Sequence, residues 1–163
     1  MFDADALIKL QRAEILEHVA RTFDCIIPEA VYHEVVTRGR VFKHPDAEAI
    51  DRTIQSSVVV GSPIRVAMPD VAETTGIDAG EKDVLGLFYS SPAEGETIII
   101  SDDRRFLALL HRLEVPALTP ADSIALMVRQ GFLVKREARN ALEQIRLSIR
   151  ETAYRQALKD LEE

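Results

Sequence analysis

The sequence predicts an α/β fold in which helices cover both faces of a central parallel sheet, and three observations carry that expectation. Helical and strand-like segments alternate along the chain, with no internal repeat, low-complexity tract or linker-like run between them. Thr97-Ile98-Ile99-Ile100 is a run of four β-formers without polar alternation, as expected of a central strand buried on both faces. The chain has 163 residues, enough for one domain with its own core and short for two.

Each element follows from local pattern. Leu7, Leu10, Ile15, Leu16 and Val19 recur at helical spacing between Ala6 and Phe23, with one break near Arg12. Cys25-Ile26-Ile27 reads as a short buried strand, and Pro28 opens a helix from Glu29 to Thr37 that is expected to end at Gly39. Asp46 is the expected cap of a helix reaching Ser57. Val58 to Val66 is apolar but interrupted by Gly61 and Pro63, the mark of an irregular or edge strand. Asp78 opens a helix to about Tyr89, and Ser90 to Glu96 is a loop rich in Pro, Gly and Ser. After the strand at Thr97–Ile100 come a helix over Asp103–Leu113, a short strand at Ala117-Leu118 and a helix over Pro120–Gln130. From Val134 onward Ala138, Leu142, Ile145, Ile149, Ala153, Ala157 and Leu161 form one long amphipathic stripe.

Composition narrows the class. The chain is 47% hydrophobic and 29% charged, ordinary for a soluble globular protein, and no apolar run approaches the roughly 18 residues needed to span a bilayer. The acidic start, Met-Phe-Asp-Ala-Asp, does not fit a secretory signal, and the lone Cys25 in an apolar stretch reads as a buried free thiol in a reducing cytoplasm. A net charge of −7 and a pI near 5.2 argue against non-specific coating of nucleic acid. They leave a metal-dependent site open, because a carboxylate cluster lowers the net charge and a bound cation restores it locally. His18, His33, His44 and His111 are scattered without ligand spacing.

In parallel sheets, sites form where the chain leaves the carboxyl ends of the strands. Acidic residues stand at those places. Asp3 follows Met1-Phe2, Asp102 and Asp103 follow Ile98 to Ser101, and Glu34 lies in the helix after Ile26-Ile27. Glu81 and Asp83 lie in the first turns of the helix opened by Asp78. Gathered carboxylates repel unless a cation sits among them, and hard divalent ions prefer oxygen ligands. Singly, each has a plainer reading: Asp78 and Asp103 suit helix caps, Glu81 completes a capping box with Asp78, and Glu34 suits a solvated helix position. The combination points to metal.

Four segments in order resemble the PIN-domain nucleases, a family that includes VapC-type toxins of toxin–antitoxin pairs. Phe2-Asp3-Ala4-Asp5-Ala6-Leu7-Ile8 is similar to the opening strand–Asp–helix motif, and Ile26 to Val35 to the second, where Pro precedes a helix bearing an acid. Gly80-Glu81-Lys82-Asp83-Val84-Leu85-Gly86-Leu87 resembles the third, and Ile99-Ile100-Ser101-Asp102-Asp103-Arg104-Arg105-Phe106 the fourth. The resemblance covers residues 1–133 and leaves 134–163 as a C-terminal helix packed on, or extending from, the same domain. It implies a Rossmann-like α/β/α sandwich and hydrolysis of RNA phosphodiester bonds with Mg²⁺ or Mn²⁺. It places Asp3, Glu34, Asp83 and Asp103 at the four acidic, metal-binding and catalytic positions.

Two of these positions are contested. Glu81 and Asp83 point about 200° apart on a helix, so one of them faces the site; Asp83, beside the stripe of Val84, Leu87 and Phe88, is preferred. Asp102 competes with Asp103, which the Thr-x-Asp form of the family motif favours, here Ser101-Asp102-Asp103. Ser101 then supplies a supporting hydroxyl and Asp5 a further supporting or substrate-side group. Arg38, Arg40, Lys43 and Arg104 are the candidate phosphate contacts. The family usually carries more apolar residues before the first Asp, so either the first strand is very short or the true start lies upstream of Met1. The implied partners are RNA, an antitoxin protein and a second copy of the chain, with no membrane. A catalytically weak or inactive member of the same fold, acting as a binding module, is the alternative. A phospho-acceptor signalling domain is disfavoured, since the acid pair comes late and no Lys follows the last short strand until Lys135.

Overall fold

The computed structural model describes residues 1–62, 76–90 and 97–162. The last part of the expected Val58–Val66 strand and the loop at 91–96 lie outside the described residues. Helix α1 (Ala4–Arg12) and helix α2 (Leu16–Thr22) replace the single interrupted helix, and the break has a defined geometry. The Ile15 N–H donates to Leu10 O and the Glu14 N–H to Gln11 O, with Glu14 left-handed at φ 60°. This is a Schellman closure made without glycine. Glu114 (φ 56°) closes a later helix in the same way, with Val115 N–H donating to Leu110 O.

Strand β1 (Cys25–Pro28) and strand β2 (Val58–Gly61) pair in parallel, in register from Cys25 with Val58 to Pro28 with Gly61. The crossover between them is helical. Helix α3 (Glu29–Tyr32) runs on through a π-helical segment, His33–Arg38, into a last turn α4 (Gly39–Val41), and α5 (Ala47–Ser57) leads into β2. Gly39 therefore does not end the helix, as the sequence suggests. It stays helical, and a Cβ there would stand 3.0 Å from Ala47 Cβ, so its small size serves the close approach of α4 to α5. Lys43, at φ 54°, makes the turn instead. Asp46 makes no side-chain cap for α5; its carboxylate accepts from Arg12 Nε at 2.9 Å.

Helix α6 (Ala79–Ser90) precedes strand β3 (Ile99–Ile100), which pairs in parallel with β4 (Ala117–Leu118). On its other side Ile100 bridges Phe2 in parallel, and Ile98 O, Ile100 N–H and Ile100 O bond Met1 N, Met1 O and Asp3 N–H. The opening segment is thus laid along β3 from its first residue, as a bridge rather than a full strand. Helix α7 (Arg104–Arg112) joins β3 to β4, and α8 (Pro120–Arg129) follows, capped by a Thr119–Asp122 box with Pro120 in its first turn.

The C-terminal stripe forms two helices rather than one. Helix α9 (Lys135–Ile145) ends in a 3-10 turn, Arg146–Ser148, where the Ser148 hydroxyl donates to Ile145 O at 2.9 Å. Ile149 is extended, and α10 (Glu151–Asp160) starts afresh after Arg150. Ala138, Leu142, Ile145, Tyr154, Ala157 and Leu161 are buried in the same apolar cluster as Phe2, Leu7, Ile27, Ile50, Ile99 and Phe106. The architecture is α/β, with many helices around short parallel strands. Among the described residues no helix is long and apolar enough to cross a membrane.

Candidate active site

The pairing of Phe2 with Ile100 sets Asp3 and Ser101 side by side at the carboxyl ends of neighbouring strands. Asp3 caps α1, its Oδ1 accepting the Ala6 N–H at 2.7 Å, and only 7% of the residue is exposed. Ser101, fully buried beside Asp3, accepts the Asp103 N–H at 3.1 Å. Asp103 in turn caps α7, with Oδ1 accepting from Arg105 N–H (2.7 Å) and Phe106 N–H (2.9 Å). The Ser101 hydroxyl therefore holds the backbone of the turn that presents Asp103, and each carboxylate is held by the helix that it starts. The plainer reading of Asp103 as a cap is true, and it also fixes where the carboxylate stands.

A third helix start closes in. Asp78 and Glu81 form a reciprocal capping box, the Asp78 N–H donating to Glu81 Oε2 and the Glu81 N–H to Asp78 Oδ1, both at 2.8 Å. Burial raises the Glu81 pKa from 4.5 to about 7, and the charges of Asp78, Asp103 and Asp3 add to the rise. Asp3 is raised from 3.8 to about 6, chiefly by burial, against the pull of hydrogen bonds from Ser101 and the Ala6 amide; Asp5 adds repulsion and Lys9 subtracts from it. Glu34, exposed on the π-helical segment, has Oε2 3.8 Å from where a Cβ on Gly80 would be. A π-helical turn shifts side-chain phase and recurs at functional sites; here it carries Glu34 at the start of α6.

The structure thus brings Asp3, Asp103, Glu81 and Asp78 into one electrostatic neighbourhood, with Glu34 beside Gly80. Asp83, preferred on sequence grounds, lies half-buried and about 200° around α6 from Glu81. Asp102 turns elsewhere: its side chain is 4% exposed and accepts from Lys9 Nζ at 2.6 Å. Lys9 also donates to Asp5 at 2.5 Å. Of the candidate phosphate contacts, Arg38, Lys43 and Arg104 are exposed, while Arg40 donates to Glu48 (2.7 and 3.0 Å) and Asp51 (2.5 Å). Asp78 reads from the sequence as a cap alone, and the capping box is the signal that places it at the site. Lys9 gives no such signal beyond its position on the buried side of α1.

The donor set is made of carboxylate oxygens, the chemistry that Mg²⁺ and Mn²⁺ take. Burial pushes Asp3 and Glu81 toward protonation and neighbouring carboxylates add to it, while the buried cation nearest in sequence, Lys9, is committed to Asp5 and Asp102. That imbalance fits a divalent ion. Among the described residues no three such side chains stand close enough to hold one ion as placed, so the fit lies in donor type and charge. Cys25 is outside this group: it is buried, with its thiol pushed up to about 11 chiefly by burial.

The fold is thus a short parallel α/β scaffold with carboxylates at its strand ends and helix starts. The family model DUF3368: PIN domain matches residues 1–163, and the chain belongs to this PIN-domain family. PIN domains are generally nucleases that act on nucleic acids, typically with divalent metal. Comparison with curated proteins and with solved structures gives no match.

Proposed function

We propose that the chain is a divalent-metal-dependent endoribonuclease. Its ion, Mg²⁺ or Mn²⁺, would be held by Asp3, Glu34, Asp103 and an acid at the start of α6, with Glu81 ahead of Asp83. The observation that carries this reading is the shared environment of Asp3 and Glu81: burial raises both carboxyls above their ordinary values, and the charge of Asp3 adds to the rise at Glu81. When bound, the ion supplies an activated water and neutralises charge on the phosphoryl oxygens. Asp3 and Asp103 each keep one oxygen on the amides of their own helix, which orients the other. The starts of α1, α6 and α7 favour negative charge nearby, the scissile phosphate included. Arg104, first residue of α7, with Arg38 and Lys43, would contact flanking phosphates.

The test is cleavage of a labelled single-stranded RNA with Mn²⁺, Mg²⁺ or EDTA, by the parent and by Asp3→Asn and Asp103→Asn. Cutting that depends on metal and disappears in both variants is expected; equal cutting by the folded variants defeats the mechanism. A parent that binds RNA without cutting would leave a binding module. As the toxin of a toxin–antitoxin pair, the chain would arrest growth when induced and be relieved by a protein partner. A homodimer is a further proposal, read by light scattering.

A further inference from the structure

One ion-pair group beside the site is not used by that reading. Asp102 stands between the two residues that join Asp3 to α7, Ser101 and Asp103, yet its carboxylate faces away from them into the protein. Lys9 holds Oδ2 at 2.6 Å from the buried side of α1, and Arg150 Nη2 lies 3.5 Å from Oδ1. Among the described residues, Asp102 Oδ1 and Arg150 Nε are the buried side-chain atoms without a hydrogen-bond partner. They are an acceptor and a donor already paired by charge, and a two-pronged guanidinium–carboxylate bond would satisfy both. Burial works against the Lys9 charge, but its bonds to Asp102 and Asp5 prevail and raise its pKa above the ordinary lysine value.

Arg150 is held from the other side. It sits in the extended step between α9 and α10, its carbonyl accepting the Tyr154 N–H at 3.0 Å, and the Tyr154 hydroxyl donates to Glu143 on α9. The guanidinium is thus delivered by the point where the two C-terminal helices join.

We propose that Lys9 and Arg150 are positioning residues that clamp Asp102 from two sides and so fix the Ser101–Asp103 turn, making the C-terminal helices part of the scaffold of the active site. The consequence for activity rests on the nuclease reading; the clamp itself does not. If the turn is clamped, the Asp103 N–H that donates to Ser101 exchanges slowly because Asp102 is held.

Amide hydrogen exchange and Mn²⁺ titration are measured on the parent, Arg150→Met, Arg150→Lys and Lys9→Met. In Arg150→Met the Asp103 and Phe106 amides are expected to exchange at least about tenfold faster, while amides of α5 keep their parental rates. The Mn²⁺ concentration giving half-maximal cleavage should rise several-fold, with the maximal rate changed less, and Arg150→Lys should recover part of both. If Arg150→Met does not fold, Arg150→Gln, which loses the charge and keeps a polar end, is read in its place. A folded variant with parental exchange at Asp103 and Phe106 overturns the clamp. A parent that never cuts RNA overturns the nuclease reading, and the exchange data still decide the clamp.

Discussion

Glu34 Oε2 lies 3.8 Å, and Asp78 Oδ1 3.4 Å, from the position that a Cβ would take on Gly80. Both are ordinary van der Waals distances, so alanine fits there. Gly80→Ala should raise stability by up to about 1 kcal/mol through helix propensity, seen as a melting point a few degrees higher. The added methyl fills the space between Glu34, proposed to face the ion, and Asp78, which caps α6 with Glu81, and cleavage should fall by roughly tenfold or more, as small displacements at a site do. A hotter-melting variant that cuts at the parental rate would remove Glu34 from the site.

The buried acids give a pH signature in the metal-free chain. Asp3 binds its proton more tightly folded (about 6) than in its ordinary state (3.8). Its contribution to stability is therefore complete below 3.8 and is lost as pH rises to about 6; Glu81 acts likewise between 4.5 and about 7. Asp3→Asn, which keeps a capping side chain, should make the EDTA-treated chain more stable than the parent above pH 6, by up to about 3 kcal/mol. It should equally remove the rise in melting point expected of the parent with Mn²⁺, read by thermal melting with and without the ion. Urea unfolding near pH 4 and near pH 8 measures the stability difference, and an Asp3→Asn chain weaker than the parent at the higher pH would deny that Asp3 carries a buried charge.

Glu81→Gln and Asp83→Asn separate the two acids of α6. Glu81 shares its surroundings with Asp3 and Asp103, so Glu81→Gln should lower cleavage by about 10² or more, the scale seen when a group stabilising developing charge is lost. Asp83→Asn should lower it by less than about tenfold. The reverse order, measured at saturating Mn²⁺, would return the site to Asp83.

The rim cations divide by their existing commitments. Arg40 is bound to Glu48 and Asp51, so Arg40→Ala should leave the RNA KM and its salt dependence unchanged. Arg104→Ala should raise KM and flatten the dependence on salt, because each lost phosphate contact releases fewer counterions on binding. Equal effects from the two substitutions would mean that Arg40 gives up its carboxylates to bind RNA.

Strand-end chemistry makes Asp3 and Asp103 readable in the sequence, since a β-run followed by an acid and a helix fixes position, direction and cap together. The start of α6 is less readable. Periodicity separates Glu81 from Asp83 by angle but does not give the rotation of the helix about its axis, which the Asp78–Glu81 box sets. Gly39 misleads because glycine serves two needs, a left-handed turn and a close approach, and the second depends on Ala47, distant from it in pattern. The reverse error occurs at Glu14 and Glu114, where helix ends that glycine usually marks are closed by glutamate. Lys9 and Arg150 escape notice because a cation on an amphipathic segment ordinarily points to water, and their common partner lies 93 residues from Lys9.

The π-helical segment His33–Arg38 limits how this chain can vary in length. A π turn holds one residue more than the α-helical turn it interrupts, so removing a single residue there lets the helix relax to ordinary winding. The helix on either side of the deletion can then keep its phase, while the residues of the segment itself are redistributed around the axis. Glu34 and the Val35–Val36 pair that anchors the segment in the core could not both keep their places. A deletion harmless in an exposed loop is here a change of address for an acidic side chain.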